Sequence, residues 1–462
     1  FEDYTNRIPI RSYEEFEPWV TRVAGGEPNV LTRDPIVAFE QTGGSTSGRK
    51  LVPYTEAQLK SFGASVLPWL ENLLARRPAI RSGKAYVAVS PKIRMPARTS
   101  GGVQIGLPSE GAYLGQEIAP AFGQILVNGL AAGRAEDLRE WQLETLCDLV
   151  LAGNLSLVSV WSPTFVTRLV DILVNEADAV MEKLGKAARA RKRFASALAG
   201  GSLRTEVLWP NLDTISCWTD GPSKFYSKEL ARRFPQVHFE SKGLLATESP
   251  ITIPLGFAKG NVPALSSVFL EFIDPSGRSH LANDVNEGID YRIVLTTWGG
   301  LYRYDIGDIV RCNGHKLGVP LFTFVGRAGL VSDLVGEKLT DEFVSRVLAD
   351  LPCATMLVAR NGDVPFYELW VDGDLPVGSA AIEARLRANP QYSHARDLGQ
   401  LGAMAVVSTS GFVHTLHQQQ VKEGRRLGDL KAQALLPLPG QARQPMAVSA
   451  TQNLRSQLPL EA

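Results

Sequence analysis

Strand-like and helix-like segments alternate through the middle of the chain, and this alternation limits the fold more than any other feature of the sequence. Short apolar runs predict strands at Lys84–Ser90, 205–210 and 235–240. Apolar residues at helical spacing predict helices at Ala135–Leu151, Pro163–Gly185 and 223–234. Strands that alternate with helices favour an α/β architecture.

The alternation of predicted strands and helices gives way twice to other patterns further along the chain. At 462 residues the chain is long enough for more than one domain. Strand-like segments dominate between Ala264 and Arg311, and a compact mixture of short helices and strands follows Gly326. We therefore predict a large N-terminal domain over residues 1–326 and a small α+β domain over residues 327–436. Residues 437–462 have loop composition and are predicted to be a flexible tail.

Composition argues against several classes of function. Lys plus Arg and Asp plus Glu each number 48, so a formal net charge of zero gives no support for a nucleic-acid or membrane binder. No apolar run approaches the roughly 18 residues of a membrane span. The four cysteines are far apart and form no CxxC pair, which argues against a disulfide framework or a zinc site. We expect a monomeric protein of the cytoplasm that acts on small molecules.

The stretch "QTGGSTSGRKLVPYT", Gln41 to Thr55, has the composition of a phosphate-binding loop. Glycines let backbone amides approach an anion, and hydroxyl groups add hydrogen-bond donors. Gly43 and Gly48 have the spacing of a Walker loop, but Lys50 is followed by leucine, not by the hydroxyl residue that binds Mg²⁺. Two alternatives remain on this stretch alone, a surface turn and the Ser/Thr/Gly-rich loop of adenylate-forming enzymes.

Four later segments favour the adenylate-forming interpretation because they occur together and in order. They are "KGLLATES" from Lys242, "TTWGGLYRYDIGDIVR" from Thr296, "FVGRAGLVSDLVGEKLTDEF" from Phe324 and "RRLGDLKAQALLP" from Arg425. Each segment is weak evidence alone, since a Gly-Asp pair after a strand is usually a turn. Five matching segments in this order are much harder to reach by chance.

Together these segments resemble the auxin-responsive Gretchen Hagen 3 family of acyl acid amido synthetases, within the superfamily of acyl-CoA synthetases, peptide-synthetase adenylation domains and luciferases. "LTTWGGLYRYDIGDIVR" is the most specific motif, and the resemblance runs from about Ile8 to Leu435. It is closer to bacterial-type members than to the plant enzymes. The resemblance implies a large N-terminal adenylation domain of several subdomains and a small mobile C-terminal domain.

The resemblance also implies roles for individual residues. ATP phosphates would be bound by the loop residues Thr42, Gly43, Gly44, Ser45, Thr46, Ser47, Gly48 and Lys50. Thr247 and Glu248 match the superfamily's Thr-Glu pair, whose carboxylate helps to hold Mg²⁺ near the α-phosphate. Asp308 and Arg327 match residues near the ribose, and Lys431 matches the mobile-domain lysine that approaches the reacting carboxylate.

Three features depart from the family pattern. The phosphate loop is shorter than the plant form and has Gly43-Gly44 where a serine is usual. Leu244 and Leu245 occupy the region of the aromatic residue that stacks on adenine. Lys431 lies in "GDLKAQ" and lacks the usual glycine-lysine-proline context.

The reaction implied by the resemblance has two steps. A carboxylic acid and ATP form an acyl-adenylate and pyrophosphate, and an amine, most simply an amino acid, then takes the acyl group and releases AMP. The implied cofactors are ATP and Mg²⁺. Two alternatives stay open, an acyl-CoA ligase with the same first step and a catalytically silent nucleotide-binding homologue. Trp161 and Trp218 are predicted either to line the acyl pocket or to pack in the core.

Overall fold

A computed structural model describes most of the chain. The described residues are 1–41, 50–87, 97–107, 123–127, 138–198, 202–220, 223–256, 260–328, 330–335, 337–362, 364–375, 377–422 and 433–438. The tail predicted at 437–462 lies almost entirely outside them.

Helices and strands follow one another along the described residues. The helices are α1 Glu2–Arg7, α2 Tyr13–Ala24, α3 Glu56–Arg76, α4 Leu138–Leu151, α5 Pro163–Asn175, α6 Ala177–Lys183, α7 Ala188–Ala197, α8 Thr205–Leu208, α9 Ser223–Arg233, α10 Asp341–Leu348, α11 Ser379–Leu386, α12 Pro390–Asp397 and α13 Phe412–Lys422. The strands are β1 Ala38–Gln41, β2 Leu51–Tyr54, β3 Lys84–Val87, β4 Ala97–Arg98, β5 Gln104–Ile105, β6 Leu155–Ser159, β7 Thr214–Cys217, β8 His238–Ser241, β9 Thr252–Pro254, β10 Asn261–Pro263, β11 Phe269–Ile273, β12 Ser279–His280, β13 Asp290–Thr296, β14 Tyr304–Lys316, β15 Val319–Arg327, β16 Val331–Ser332, β17 Leu339–Thr340, β18 Thr355–Arg360, β19 Phe366–Val371, β20 Ala405–Ser408 and β21 Leu435–Leu436.

The alternating middle of the chain forms a parallel sheet in the order β3-β6-β7-β8. Its core contains apolar side chains from the strands and from α4, α5, α7 and α9, and it includes Val158, Leu169 and Phe194. Strand β6 is buried along its whole length, as expected for a parallel strand covered on both faces. The predicted α/β class is confirmed.

Two mainly antiparallel sheets lie outside this parallel layer. One has the order β2-β1-β5-β4, and the other has seven strands in the order β12-β11-β13-β14-β15-β10-β9. They share a core with α2, in which Phe16, Phe39, Phe272 and Tyr291 are buried. Phe272 stacks on Phe322 with ring centroids 4.8 Å apart. This core supports β14 and β15, which carry Asp308 and Arg327.

The C-terminal part of the described chain builds its own core. The sheet β20-β19-β18-β21 and the helices α10 to α12 bury a cluster of apolar side chains from residues 339–435. A smaller cluster around Phe412 and Met356 also contacts Tyr226 of α9, so this unit packs against the parallel-sheet region. Arg346 adds an ion pair to Asp290 at 3.3 Å. The domain division at residue 327 stays a prediction that this core supports.

Two predicted elements are wrong in detail. Residues 205–210 are not a strand, because Thr205–Leu208 is a short helix whose Thr205 hydroxyl donates to the Arg233 carbonyl at 2.7 Å. Trp209 then packs on Phe234 and donates to the Leu149 carbonyl, while Thr214–Cys217 takes the place in the sheet. The helix predicted over Pro163–Gly185 is two helices that meet at Glu176.

Three further observations concern membrane-spanning helices, metal-binding clusters and cysteines among the described residues. No helix in this part of the chain is long and apolar enough to cross a membrane. No group of three or more His, Cys, Asp or Glu side chains in the described ranges could hold a metal ion. The cysteines Cys147, Cys217 and Cys312 are free and buried, and Cys353 is free and half-buried.

Candidate functional site

The predicted phosphate loop connects the two strands of a hairpin. Strands β1 and β2 are antiparallel, and their pairing ends at Gln41 opposite Leu51. The loop residues Thr42 to Gly48 lie outside the described residues, so their predicted contacts stay predictions. Lys50 is described, and it lies at the end of the loop beside β2.

Lys50 is held at the loop end of this hairpin by residues of α2. Only 10% of its side chain is exposed, and its Nζ lies 3.3 Å from Glu14 Oε1 and 4.6 Å from the centre of the Tyr13 ring. The Tyr13 hydroxyl accepts from the Leu51 amide at 2.7 Å and donates to the Leu51 carbonyl at 3.1 Å. Helix α2 therefore fixes the strand that follows the loop.

Thr247 and Glu248 occupy the tip of a tight turn. The Ala246 amide donates to the Ser249 carbonyl at 3.0 Å, and Leu245 pairs with Pro250. Gly243 enters the turn with a φ of +69°, and a Cβ there would lie 2.3 Å from the Thr252 carbonyl oxygen, so only glycine fits. Glu248 is buried, with 6% of the residue exposed.

Tyrosines connect this turn to the hairpin. The Tyr54 hydroxyl donates to the Thr247 carbonyl. Burial raises the pKa of Tyr54 well above its usual value, and the negative charges of Glu40 and Glu248 act in the same direction. Burial likewise raises the pKa of Tyr13 to about 12, with Glu17, Glu248 and Glu14 adding to the rise. Both tyrosines therefore lie in the electrostatic field of Glu248, and Lys50 lies against the Tyr13 ring.

Gln58 joins the Thr-Glu turn to the most specific sequence motif. Its Nε2 donates to the Glu248 carbonyl at 2.9 Å, and its Oε1 accepts from the Trp298 amide at 2.9 Å. Gln58 is 1% exposed and lies in the first turn of α3, where Thr55 caps the helix by accepting from the Gln58 amide. One buried side chain thus fixes two backbone segments that are about 50 residues apart.

Asp308 and Arg327 are direct neighbours in the seven-stranded sheet. Asp308 on β14 is opposite Arg327 on β15, and Asp308 is 1% exposed. Gly307, just before Asp308, has a φ of +74° and donates to Asp305 Oδ1 at 2.9 Å. The backbone of Arg327 is described and its side chain is not. Lys431 lies outside the described residues, so its predicted role is not addressed by the structure.

The arginine of the "GLYRYD" motif has a structural role that sequence reasoning missed. Arg303 has a φ of +50°, and its guanidinium contacts Glu271 at 2.8 to 3.1 Å. It also donates to the carbonyls of Thr5 and Ile8 at 3.0 and 2.7 Å and to Ser279 Oγ at 2.8 Å. The side chains of Arg303 and Glu271 are 6% and 0% exposed. This buried ion pair attaches the N-terminal segment to the sheet that carries Asp308.

Comparison with known proteins assigns the family. Residues 1–197 match the GH3 family N-terminal domain, and residues 262–327 match the GH3 family central domain. These matches cover more than half of the chain. The chain belongs to the GH3 family. The resemblance predicted from the motifs is therefore confirmed.

Distant relatives cover most of this GH3 chain. The putative indole-3-acetic acid-amido synthetase GH3.10 of Oryza sativa subsp. japonica is 23% identical over 401 residues, which cover 78% of each chain. The indole-3-acetic acid-amido synthetase GH3.4 of Arabidopsis thaliana is 21% identical over 490 residues, which cover 93% of this chain and 78% of the relative.

Solved structures share the fold. The acyl acid amido synthetase AtGH3.15 in complex with 2,4-DB superposes with a TM-score of 0.80 at 17% identity, covering 94% of this chain and 86% of that one. A 2-hydroxyisobutyryl-CoA ligase in its postadenylation state gives a TM-score of 0.50 at 13% identity, covering 91% and 84%. The GH3 chain therefore has the fold of the adenylate-forming ligases.

Proposed function

We propose that this GH3 protein is an ATP-dependent ligase that activates a small carboxylic acid as an acyl-adenylate and transfers the acyl group to an amine. The observation that carries the proposal is the contact between the hairpin of the predicted phosphate loop and the Thr-Glu turn, where Tyr54 donates to the Thr247 carbonyl and the buried Lys50 follows the loop. The relatives named as amido synthetases support an amino acid as the amine.

The residues present fit a magnesium ion delivered with ATP. Mg²⁺ is usually held by one or two carboxylates together with substrate phosphates, and Glu248 at the tip of its turn is a buried carboxylate of this kind. When bound, Mg²⁺ would neutralise charge on the phosphate oxygens.

The chain's own residues would then act on the α-phosphate in the first step. A carboxylate oxygen attacks the α-phosphorus, the bond to the bridging oxygen breaks, and pyrophosphate leaves. Lys50 and the amides and hydroxyls of Thr42 to Gly48 would hold the departing phosphates, while Asp308 and Arg327 would orient the ribose. Fixed donors lower the barrier because they are already aimed where negative charge develops. Lys431 would add a cation at this stage.

The second step would exchange the groups around the acyl-adenylate. The amine attacks the acyl carbonyl, the carbon–oxygen bond to AMP breaks, and a proton leaves the new amide. Lys431 belongs to the part of the chain whose core is drawn from residues 339–435, so rotation of this unit would remove the lysine from the centre. The separate core is the feature of the structure that supports such a movement.

The deciding experiment measures pyrophosphate release from ATP with a pool of carboxylic acids and Mg²⁺, followed by mass spectrometry of products formed with amino acids or CoA. Acid-dependent pyrophosphate release with an acyl-amino acid product is expected. A CoA thioester as the sole product would identify an acyl-CoA ligase. ATP binding by calorimetry without release for any acid would indicate a silent nucleotide-binding homologue.

A further inference from the structure

Two side-chain donors hold the backbone on both sides of the Glu248 Cα. The Tyr54 hydroxyl donates to the Thr247 carbonyl, and Gln58 Nε2 donates to the Glu248 carbonyl at 2.9 Å. These two carbonyls belong to the two peptide groups that flank the Glu248 Cα. Because each peptide group is planar, fixing both of them fixes the direction in which the Glu248 side chain leaves the backbone.

The two donors cannot readily exchange their roles. Tyr54 is completely buried, and burial raises the pKa of its hydroxyl well above the usual value, so the hydroxyl keeps its proton and remains a donor. Gln58 is also buried, and its Oε1 accepts from the Trp298 amide at 2.9 Å. The Gln58 carboxamide satisfies both partners in one orientation only, because its oxygen must face the amide and its nitrogen must face the carbonyl.

The segment that contains Trp298 is in turn held against the same part of the chain. The Thr55 hydroxyl donates to the Trp298 carbonyl at 3.5 Å. A Cβ on Gly299 would lie 2.1 Å from the Pro53 carbonyl oxygen, so the backbone after Trp298 lies directly on β2. Residues 53–58 therefore contact both the Thr-Glu turn and the most specific motif, and they directly follow the predicted phosphate loop and its lysine.

A carboxylate that serves Mg²⁺ benefits from support of this kind. Mg²⁺ demands nearly ideal octahedral geometry and is usually held by one or two carboxylates together with substrate phosphates. Partners that orient the ligands of a metal change metal affinity by about 10- to 100-fold when they are removed. A donor that fixes the backbone of Glu248 can therefore matter to the metal without contacting it.

We infer that Tyr54 and Gln58 are positioning residues that orient Glu248 toward Mg²⁺ delivered with ATP. They act through the backbone of Glu248, from the segment that directly follows the predicted phosphate loop. The ATP phosphates and the metal ligand then share one support, so both are placed by the same short stretch of chain. The inference rests on the proposed function, because it requires Glu248 to serve the metal that arrives with ATP.

The first test measures ATP binding by calorimetry with and without Mg²⁺, which needs no turnover. The variants are Tyr54→Phe, Gln58→Met and their double variant, with Ser65→Ala as the matched control. Ser65 lies on the same helix, is completely buried and donates to the Ser61 carbonyl at 2.9 Å, so its replacement removes a comparable hydrogen bond away from the Thr-Glu turn. Thermal unfolding shows whether each variant is folded, and Tyr54→Phe, which removes only a hydroxyl, carries the test if Gln58→Met does not fold.

The expected result is a loss confined to the metal-dependent part of ATP binding. The wild type and Ser65→Ala should gain the same factor in ATP affinity when Mg²⁺ is added. Tyr54→Phe and Gln58→Met should each reduce this gain by about 10-fold, while their ATP affinity without Mg²⁺ changes less than about twofold. A merely structural role would lower stability and leave the gain unchanged.

The second test titrates Mg²⁺ in acid-dependent pyrophosphate release. The Mg²⁺ concentration that gives half the maximal rate should rise about 10-fold in each folded variant and stay unchanged in Ser65→Ala. Variants that release pyrophosphate with the wild-type Mg²⁺ dependence would overturn the inference while the proposed function stands, and so would an equal shift in Ser65→Ala. A reduced Mg²⁺ gain in ATP binding without pyrophosphate release for any acid, even from the wild type, would support the positioning role and contradict the proposed ligase.

Discussion

Arg303 offers the sharpest test of how the candidate site is supported. Replacing it by methionine removes all the hydrogen bonds that the Arg303 side chain donates to Glu271. The carbonyls of Thr5 and Ile8 also lose their charged partner. Because the Glu271 side chain is completely buried, its carboxylate would remain inside the protein without this cation. Breaking a buried pair in this way costs about 3–5 kcal/mol of unfolding free energy, which is a factor of roughly 10² to 10⁴ in the folded-to-unfolded ratio.

The measurement is urea unfolding of the purified variants, followed by far-UV circular dichroism. The double variant Arg303→Met/Glu271→Leu should recover at least half of the loss, because it removes the buried charge as well. Arg278→Met is the matched control, since Arg278 is 73% exposed and 3.9 Å from Asp274, and it should cost less than about 1 kcal/mol. The reasoning is refuted if Arg303→Met costs no more than this control, or if the double variant is less stable than the single one.

The remaining predictions concern the proposed adenylation chemistry. Asp308→Ala should weaken ATP binding by about 1.5–3 kcal/mol through loss of a charged hydrogen bond to ribose; calorimetry that finds the same affinity in a folded variant would remove Asp308 from the site. Glu248→Gln should impair pyrophosphate release in a Mg²⁺-dependent manner while acid binding is retained, and identical Mg²⁺ titrations would contradict a metal role. Lys431→Ala should slow adenylate formation by roughly 10²–10³, with much less effect when a pre-made acyl-adenylate and the amine are supplied. If neither step changes, Lys422 is the next lysine to test.

Much of the identity of this protein could be predicted from short motifs, since the order of five weak segments indicated the GH3 family and the ligase class. The α/β class also followed from local patterns, because alternating strand and helix signals lie within single segments. The structure places Lys50, Glu248 and Asp308, whose roles were predicted from the motifs, in buried positions. Those roles, the domain boundary, the cytoplasmic location and the monomeric state stay predictions.

Residues whose roles depend on distant partners could not be predicted in the same way. Gln58 is one polar residue in an otherwise ordinary amphipathic helix, and its partners at Glu248 and Trp298 are about 190 and 240 residues away. Arg303 lies inside the most specific motif, yet its partners include Thr5 and Ile8, which precede it by 298 and 295 residues. Residues 205–210 contain the short apolar run Val207 to Trp209, which fits a buried strand as well as a helix. In each case the deciding contacts are tertiary, and sequence spacing does not encode them.

The attachment of the N-terminal segment to Arg303 also has a consequence for synthesis on the ribosome. Thr5 is made 298 residues before Arg303, and at about 5–20 residues per second this separation is roughly 15–60 s. For most of that time Glu271 has not been synthesised either. Once it has been made, it still lacks its ion pair with Arg303. Thr5 and Ile8 therefore lack this partner while the intervening chain is being made, whereas the core drawn from residues 339–435 consists of residues close in sequence as well as in space. We therefore expect the folding yield of this protein to depend on the rate at which the residues before Arg303 are translated.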